Sequence, residues 1–454
     1  MKTNLLLLAL CFSASSPVCV QAAESGRTSE ATGKGVPAEQ RMQWFKDAKF
    51  GVFIHWGIYA VDGVGESWSF FNGDIPYPDY MKQRSGFDAG KYDPGAWAAL
   101  IKRSGARYAV LTSRHHDGVA LWDSRQGVNV ARDTPAGRDL VGPFVDALRK
   151  DGLKVGLYYS LPDWSYRDYD VFTRQEKRYL LKDDPARWQR FLHYYQSQLK
   201  EIADRYNPDL YWFDGDWEHS ASEWQSAKVR ELILAHNPNA IINSRLRDYG
   251  DYDTPEQGVP VLRPASKYWE LCLTMNQSWG YQPRDNQYKN ANQLIHVLAD
   301  TIGMGGNLLL DIGPRADGSI DERQVQILEK MGRWTGKHAE AIYGSHAGIP
   351  LDHFHGPSTL SPDRKTLYLF IDGKPSGEVV VKGLDNRVQR ARVVGSGARV
   401  AHRVLGKHDW SKVPGLLYLD VPDDALDADM TVLALELDKP VALFREEVRA
   451  IESN

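Results

Sequence analysis

Asp214 carries the clearest chemical signature in this 454-residue chain. It ends the apolar run Asp209–Phe213, is followed by Gly215, and is flanked by Trp212 and Trp217. A carboxylate at a strand end, with open space beside it and aromatic walls, is placed to attack a substrate or to activate water. Other groups recur at comparable positions: His55, Glu66 and Trp68; His115 and His116; Tyr158 and Tyr159; Asp216; Arg245; Glu256; Glu270; and Trp279. One such residue is unremarkable, since a lone Asp after a strand is usually a helix cap and a lone Trp is usually packing. Their joint recurrence, strand after strand, points to a cleft. The mixture suits a sugar, whose apolar faces stack on aromatic rings and whose hydroxyls pair with His, Arg and carboxylates. Glycoside cleavage needs two carboxyl groups, one to protonate the leaving oxygen and one to attack or to activate water. Asp214 is the candidate nucleophile. Glu256 and Glu270 contend for the second role, with Glu66 and Asp216 behind them.

The elements that must position these groups alternate. Apolar strand-like runs occupy Phe50–Trp56, Tyr108–Ser113, Val155–Ser160, Asp209–Phe213, Ala240–Ser244 and Asn307–Ile312. Helical patterns lie between them. The clearest is Ala186–Tyr206, where Trp188, Phe191, Leu192, Tyr195, Leu199, Ile202 and Tyr206 share one face at helical spacing. Helices are also expected over Glu223–His236 and Glu322–Ala341. Strand–helix alternation over this length predicts an α/β fold with a parallel sheet, foremost a (β/α)₈-like barrel, whose active site lies at the C-terminal ends of its strands. Near Gly348 the pattern changes to short runs with turn signals between them, which predicts a C-terminal β-sandwich. The expected division is 23–348 for the barrel and 349–454 for the sandwich.

Residues 1–22 read as a secretory signal peptide. Lys2 is the positive end, Leu5–Ala14 the apolar core, and Val20-Gln21-Ala22 the cleavage site. Cleavage would leave Cys272 as the remaining thiol, which suits a bacterial periplasm and a fold without internal disulfides. The net charge of −4, with no long basic run, argues against a nucleic-acid partner.

Six segments are similar to glycoside hydrolase family 29, the α-L-fucosidases. They are Trp44–Gly57, Arg114–Gly118, Tyr158–Ser160, Trp212–Trp217, Ser278–Tyr281 and Gly306–Pro314. The resemblance covers nearly the whole mature chain and implies a barrel followed by a β-sandwich. It implies a retaining exo-acting α-L-fucosidase that releases terminal fucose from fucosylated glycans through a covalent fucosyl-enzyme, with no cofactor and no metal. It places the nucleophile at Asp214 and the acid/base at Glu256, with Glu270 as the alternative. His55, Glu66, His115, His116, Tyr159, Arg245 and Trp279 would hold the fucose ring, with Trp68 beside Glu66. Trp279 with Phe53 or Trp212 would wall the C5 methyl group. Glu256 is expected under apolar cover that keeps it protonated.

Two other readings use the same residues. A metal-dependent hydrolase of the amidohydrolase type would also place histidines at strand ends. However, His55 is followed by Trp56-Gly57, and the adjacent His115 and His116 would point to opposite faces of a strand. A catalytically inactive fucoside-binding protein would keep the cleft and lose its carboxylates.

Overall fold

The computed structural model describes residues 36–446. The expected signal peptide lies outside them. Seven parallel strands form one sheet: β1 (Phe50–Ile54), β2 (Tyr108–Arg114), β3 (Lys154–Ser160), β4 (Leu210–Asp214), β5 (Ile241–Ile242), β6 (Glu270–Thr274) and β7 (Asn307–Ile312). Their order is β5-β4-β3-β2-β1-β7-β6. The two outer strands do not pair with each other. Residues 251–257 run between them and bond to both. Ile242 O accepts from Asp251 N, Cys272 N donates to Pro255 O, and parallel bridges join Asn243 to Tyr252 and Glu256 to Cys272. Pro255 has no N–H to give, so this closing segment cannot become a regular strand. The result is the (β/α)₈-like barrel that the alternation predicts.

The strands are apolar throughout because both of their faces are covered. Inward side chains, among them Phe53, Val110, Tyr158, Trp212, Cys272 and Leu309, fill the barrel. Their neighbours Val52, Leu111, Leu157, Tyr159 and Phe213 pack outward against the helices. The helix Pro185–Tyr206 buries every residue of its expected face. It starts at Asp184, whose side chain accepts from Arg187 N, and stops at Asn207 in left-handed conformation. That cap is worth about 1 kcal/mol.

Two expected helices are interrupted. Gln225 adopts φ +54° and splits Glu223–His236, so that one helix covers Ala221–Trp224 and the next Ser226–His236. The helix from Glu322 ends at Lys337, and a further turn spans Ala339–Ile342. Strand β6 was not expected, because its five residues open with a glutamate inside a long irregular stretch.

The C-terminal strands are β8 (His346–Ala347), β9 (Ser358–Leu360), β10 (Thr366–Ile371), β11 (Val379–Val381), β12 (Val388–Val393), β13 (Ala401–Leu405), β14 (Leu416–Asp420) and β15 (Thr431–Leu437). They form a five-stranded sheet, β12-β15-β10-β9-β8, and a three-stranded sheet, β11-β14-β13. Leu367 and Leu369 on β10 face the three-stranded sheet, while the alternate residues Tyr368 and Phe370 join the hydrophobic core of the barrel. The period of two along one strand thus builds the sandwich and fastens it to the barrel. Trp334 Nε1 adds a hydrogen bond to Met430 O at 2.9 Å. The antiparallel sheet starts at His346, just before the change in sequence pattern at Gly348.

Candidate active site

Asp214 is the last residue of β4 and points into the barrel mouth. Its Oδ1 accepts from Arg245 Nη1 at 2.9 Å, and its Oδ2 accepts from the Tyr158 hydroxyl at 2.9 Å. Burial alone would raise its pKa. The charge and hydrogen bond of Arg245 and the hydroxyl of Tyr158 outweigh burial and hold the carboxyl below the usual range, so it is ionised at neutral pH. Gly215 follows in left-handed conformation. A Cβ there would lie 2.2 Å from Pro162 Cδ, so the turn that frees the carboxylate requires glycine.

Arg245 is shared. Its Nη2 donates to Glu256 Oε2 at 2.7 Å, Thr254 holds its Nε, and its guanidinium lies 4.7 Å over the Trp212 ring. One planar fork therefore spans the carboxylates of Asp214 and Glu256. Retaining glycosidases need their two carboxyl groups close, about 5–5.5 Å apart. The Glu256 side chain is 41% exposed and ion-paired, which corrects the expectation of apolar cover. Glu270 is elsewhere. It opens β6, at the N-terminal end of the strand, and is fully buried against Tyr108, Trp212 and Tyr252. Trp212 lies between it and Arg245.

The three histidines are buried and uncharged. Burial lowers His55 to about 3 and His116 to about 4, and drives His115 well below its usual value. Each is oriented by a neighbour. His55 Nδ1 meets Asp311 Oδ1 at 2.7 Å, His115 Nδ1 meets Ser67 Oγ, and His116 Nδ1 meets Ser160 Oγ at 2.6 Å. Ser160 spends its own proton on Pro162 O. His116 must therefore donate from Nδ1, which leaves Nε2 as an acceptor. That atom has no hydrogen-bond partner among the described residues. His115 and His116 lie just beyond β2 rather than on it, and their ring centroids are 4.3 Å apart. The expectation that they diverge to opposite faces of a strand is overturned. Among the described residues, no group of three or more His, Cys, Asp or Glu is arranged to hold a metal ion.

Glu66 is buried and accepts from Gly280 N at 2.6 Å. Burial raises it to about 7. Gly280 packs against Tyr59, with no room for a Cβ. Trp279 lies 4.9 Å from His55 and 6.0 Å from Phe53, and Phe53 lies 5.0 Å from Trp212. These rings form the apolar wall. Trp68 packs edge-on to His116 at 5.6 Å and is stacked with the half-exposed Trp217 at 6.2 Å.

Tyr159 is a correction. Its hydroxyl donates to Gln198 Oε1 at 2.9 Å and its ring lies 4.2 Å under Arg114, both on the helix side of the sheet. Tyr158 is the residue that faces the site. Strand parity carries the signal: Tyr158 is in register with Trp212 and Tyr159 with Phe213, and Trp212 shares the inner face with Asp214. Ser67, Ser160 and Asp311 were also missed as orienting groups.

A sequence model of the family described as Alpha-L-fucosidase matches residues 18–340. The chain belongs to the alpha-L-fucosidase family. The alpha-L-fucosidase of Dictyostelium discoideum is 33% identical over 66% of this chain and 71% of its own length. The tissue alpha-L-fucosidase of Rattus norvegicus is 34% identical over 67% and 70%. The structure is similar to alpha-L-fucosidase isoenzyme 1 from Paenibacillus thiaminolyticus, with a TM-score of 0.80, 34% identity, and coverage of 88% of this chain and 100% of that one. It is also similar to a GH29 alpha-L-fucosidase from Bacteroides thetaiotaomicron, solved as a trapped covalent intermediate with 2-fluoro-fucosyl fluoride (TM-score 0.79, 27% identity, coverage of 90% and 98%). In fucosidase terms, the residues described above surround one carboxylate at the mouth of the barrel.

Proposed function

We infer that this protein is a retaining exo-α-L-fucosidase acting on fucosylated glycans, with Asp214 as nucleophile and Glu256 as acid/base. The observation that carries these roles is Arg245, which holds one oxygen of each carboxylate. Asp214 is ionised and attacks the anomeric carbon. Glu256 protonates the leaving oxygen through Oε1, the oxygen that Arg245 leaves free. The glycosidic C–O bond breaks, its electron pair goes to the leaving oxygen, and an ester forms between Asp214 and fucose. Asp214 is then an ester, and Glu256, having given up its proton, is a carboxylate still held by Arg245. Glu256 can now take a proton from water, which attacks the same carbon and releases Asp214. Two displacements at one carbon retain configuration.

The remaining groups support binding. His116 Nε2 accepts a sugar hydroxyl. Burial drives the Asp311 carboxyl well above its usual range, so it donates to the neutral His55 at Nδ1 and leaves His55 Nε2–H as a donor. Glu66 is held on Gly280. The C5 methyl group fits the wall formed by Phe53, Trp212 and Trp279. The family match and the intact pair of carboxylates disfavour both an amidohydrolase-type hydrolase and an inactive binding protein.

The test is hydrolysis of an aryl α-L-fucoside by the wild type, Asp214→Gly and Glu256→Ala, each with azide. Azide should rescue Asp214→Gly with β-fucosyl azide, since attack is direct and inverts. It should rescue Glu256→Ala with α-fucosyl azide, since azide then intercepts the fucosyl-enzyme. No cleavage by the wild type would refute the reading.

Export to a bacterial periplasm is part of the proposal, and it rests on the sequence of residues 1–22. N-terminal sequencing of the protein from a periplasmic fraction should begin at Ala23.

A further inference from the structure

Glu270 has no step in the scheme above, yet it is fully buried inside the barrel. Its oxygens gather three donors. Trp212 Nε1 reaches Oε1 at 3.0 Å, the Tyr252 hydroxyl lies 3.5 Å from the same oxygen, and the Tyr108 hydroxyl bonds to Oε2. A carboxylate is an acceptor at every lone pair, so it can serve all three donors at once.

Trp212 connects this cluster to the active site. Arg245 rests on its ring at 4.7 Å, and Tyr158 is stacked with it at 5.6 Å and an interplanar angle of 19°. Arg245 and Tyr158 are the two donors that hold Asp214, and Arg245 also holds Glu256. The path is therefore continuous: Glu270 to the Trp212 indole, the indole to Arg245 and Tyr158, and these to the two reacting carboxylates.

We propose that Glu270 is a positioning residue for the fucosidase reaction, locking the Trp212 indole so that Arg245 and Tyr158 hold Asp214 at a fixed orientation and spacing from Glu256. This inference rests on the functional reading above. Trp χ2 is broad and intrinsically soft, so the indole plane needs a partner to fix it. Glu270 is that partner on the buried edge of the ring. Packing by Phe53 at 5.0 Å secures a face. Burial raises the Glu270 carboxyl to about 7, against the pull of its three donors. That position gives it no path to a leaving group, because the Trp212 ring stands between it and Arg245.

The experiment compares Glu270→Gln, Glu270→Leu, Trp212→Phe and the double variant Glu270→Leu/Trp212→Phe on an aryl α-L-fucoside. Leu removes the acceptor, and kcat should fall about 30-fold or more, the scale of losing one desolvated cation–π support. The acid limb of kcat/KM should move up, because Asp214 loses the fixed donors that keep it ionised. Gln keeps an oxygen for Trp212 and should retain kcat within about fivefold, since the neutral hydrogen bond remains. Phe keeps most of the ring and loses its N–H. Adding Glu270→Leu to it should cost much less than in the wild type, because residues acting along one path are not additive.

Full additivity with an unmoved acid limb would overturn the proposal. So would a Gln variant as inactive as Leu whose turnover azide restores with α-fucosyl azide, since that is the behaviour of an acid/base. Trp212→Phe and Glu270→Gln keep the test decisive if the Leu variant fails to fold. Failure of the wild type to cleave the fucoside would overturn the functional reading and this proposal together. Losses confined to the variants bear on positioning alone.

Discussion

His116 turns Nε2 toward Asp214 Oδ2 at 3.5 Å, too far for a hydrogen bond, while its Nδ1 is fixed on Ser160. The imidazole therefore meets the nucleophile with a lone pair, not a proton. A sugar hydroxyl approaching the pair finds two acceptors for its one proton. Ser160→Ala removes the partner that sets this tautomer. It should reduce kcat/KM about tenfold, the worth of one buried hydrogen bond at ~1 kcal/mol or slightly more. Most of the change should fall in KM. Steady-state kinetics on an aryl α-L-fucoside checks it. An unchanged KM would mean that Ser160 does not govern His116.

Arg245 is where charge passes between the two carboxylates. Lys at this position keeps the charge but cannot span two acceptors in one plane. Arg245→Lys should lower kcat by about 100-fold, in line with losing one charge-assisted hydrogen bond at ~1.5–3 kcal/mol. Lys keeps the charge that most strongly opposes the burial of Asp214, but it cannot serve Glu256 and still keep the directed Arg245 hydrogen bond that also lowers the Asp214 pKa. The Asp214 pKa should rise, so the acid limb of kcat/KM should move to higher pH. A pH–rate profile for the variant decides this, and a fixed acid limb would contradict the assignment.

Tyr158 and Tyr159 make a clean pair of controls. Tyr158→Phe deletes a donor to Asp214 and should lower kcat about tenfold, with the acid limb moving up. Tyr159→Phe deletes a bond to Gln198 on the helix side. It should cost about 1 kcal/mol of stability and leave turnover within about twofold. Parallel kinetics and urea unfolding separate the two. The reverse outcome would place the inner face of β3 on the wrong residues.

Much of this was legible in the sequence. Asp214, Arg245 and the histidines stand at or just beyond strand ends, where a parallel barrel places its reactive groups, and the mixture of carboxylates, histidines and aromatics at those ends pointed to a sugar. What failed was the choice between neighbours. Tyr158 and Tyr159 are the same residue type, and only the register with Trp212 tells which side chain points inward. His115 and His116 both face the site because the chain has left the strand, which a strict period of two does not foresee. Glu256 lies on the closing segment where Pro255 prevents a regular strand, so no alternation marked it. Strand β6 was hidden for a related reason: five residues bounded by irregular chain carry too little pattern.

Glu66 yields a prediction about stability rather than turnover. Burial raises its folded pKa to about 7 from the ordinary 4.5 of a glutamate, with only the Gly280 N–H opposing. Between those values the folded protein holds a proton that the unfolded chain has released. Stability therefore falls as pH rises from about 4.5 to about 7 and levels off above it. The shift corresponds to roughly 3 kcal/mol as an upper bound, at 1.36 kcal/mol for each pH unit. Glu66→Gln cannot titrate, yet its amide oxygen can still accept from Gly280. Relative to the wild type, the variant should gain Tm steadily across this window and keep a constant offset at higher pH. Glu270, raised for the same reason, titrates in both proteins and cancels in the difference. Thermal melts of both proteins from pH 4.5 to 8 measure it. A pH-independent difference would mean that Glu66 is already ionised in the fold, held by charge that the Gly280 N–H alone does not supply.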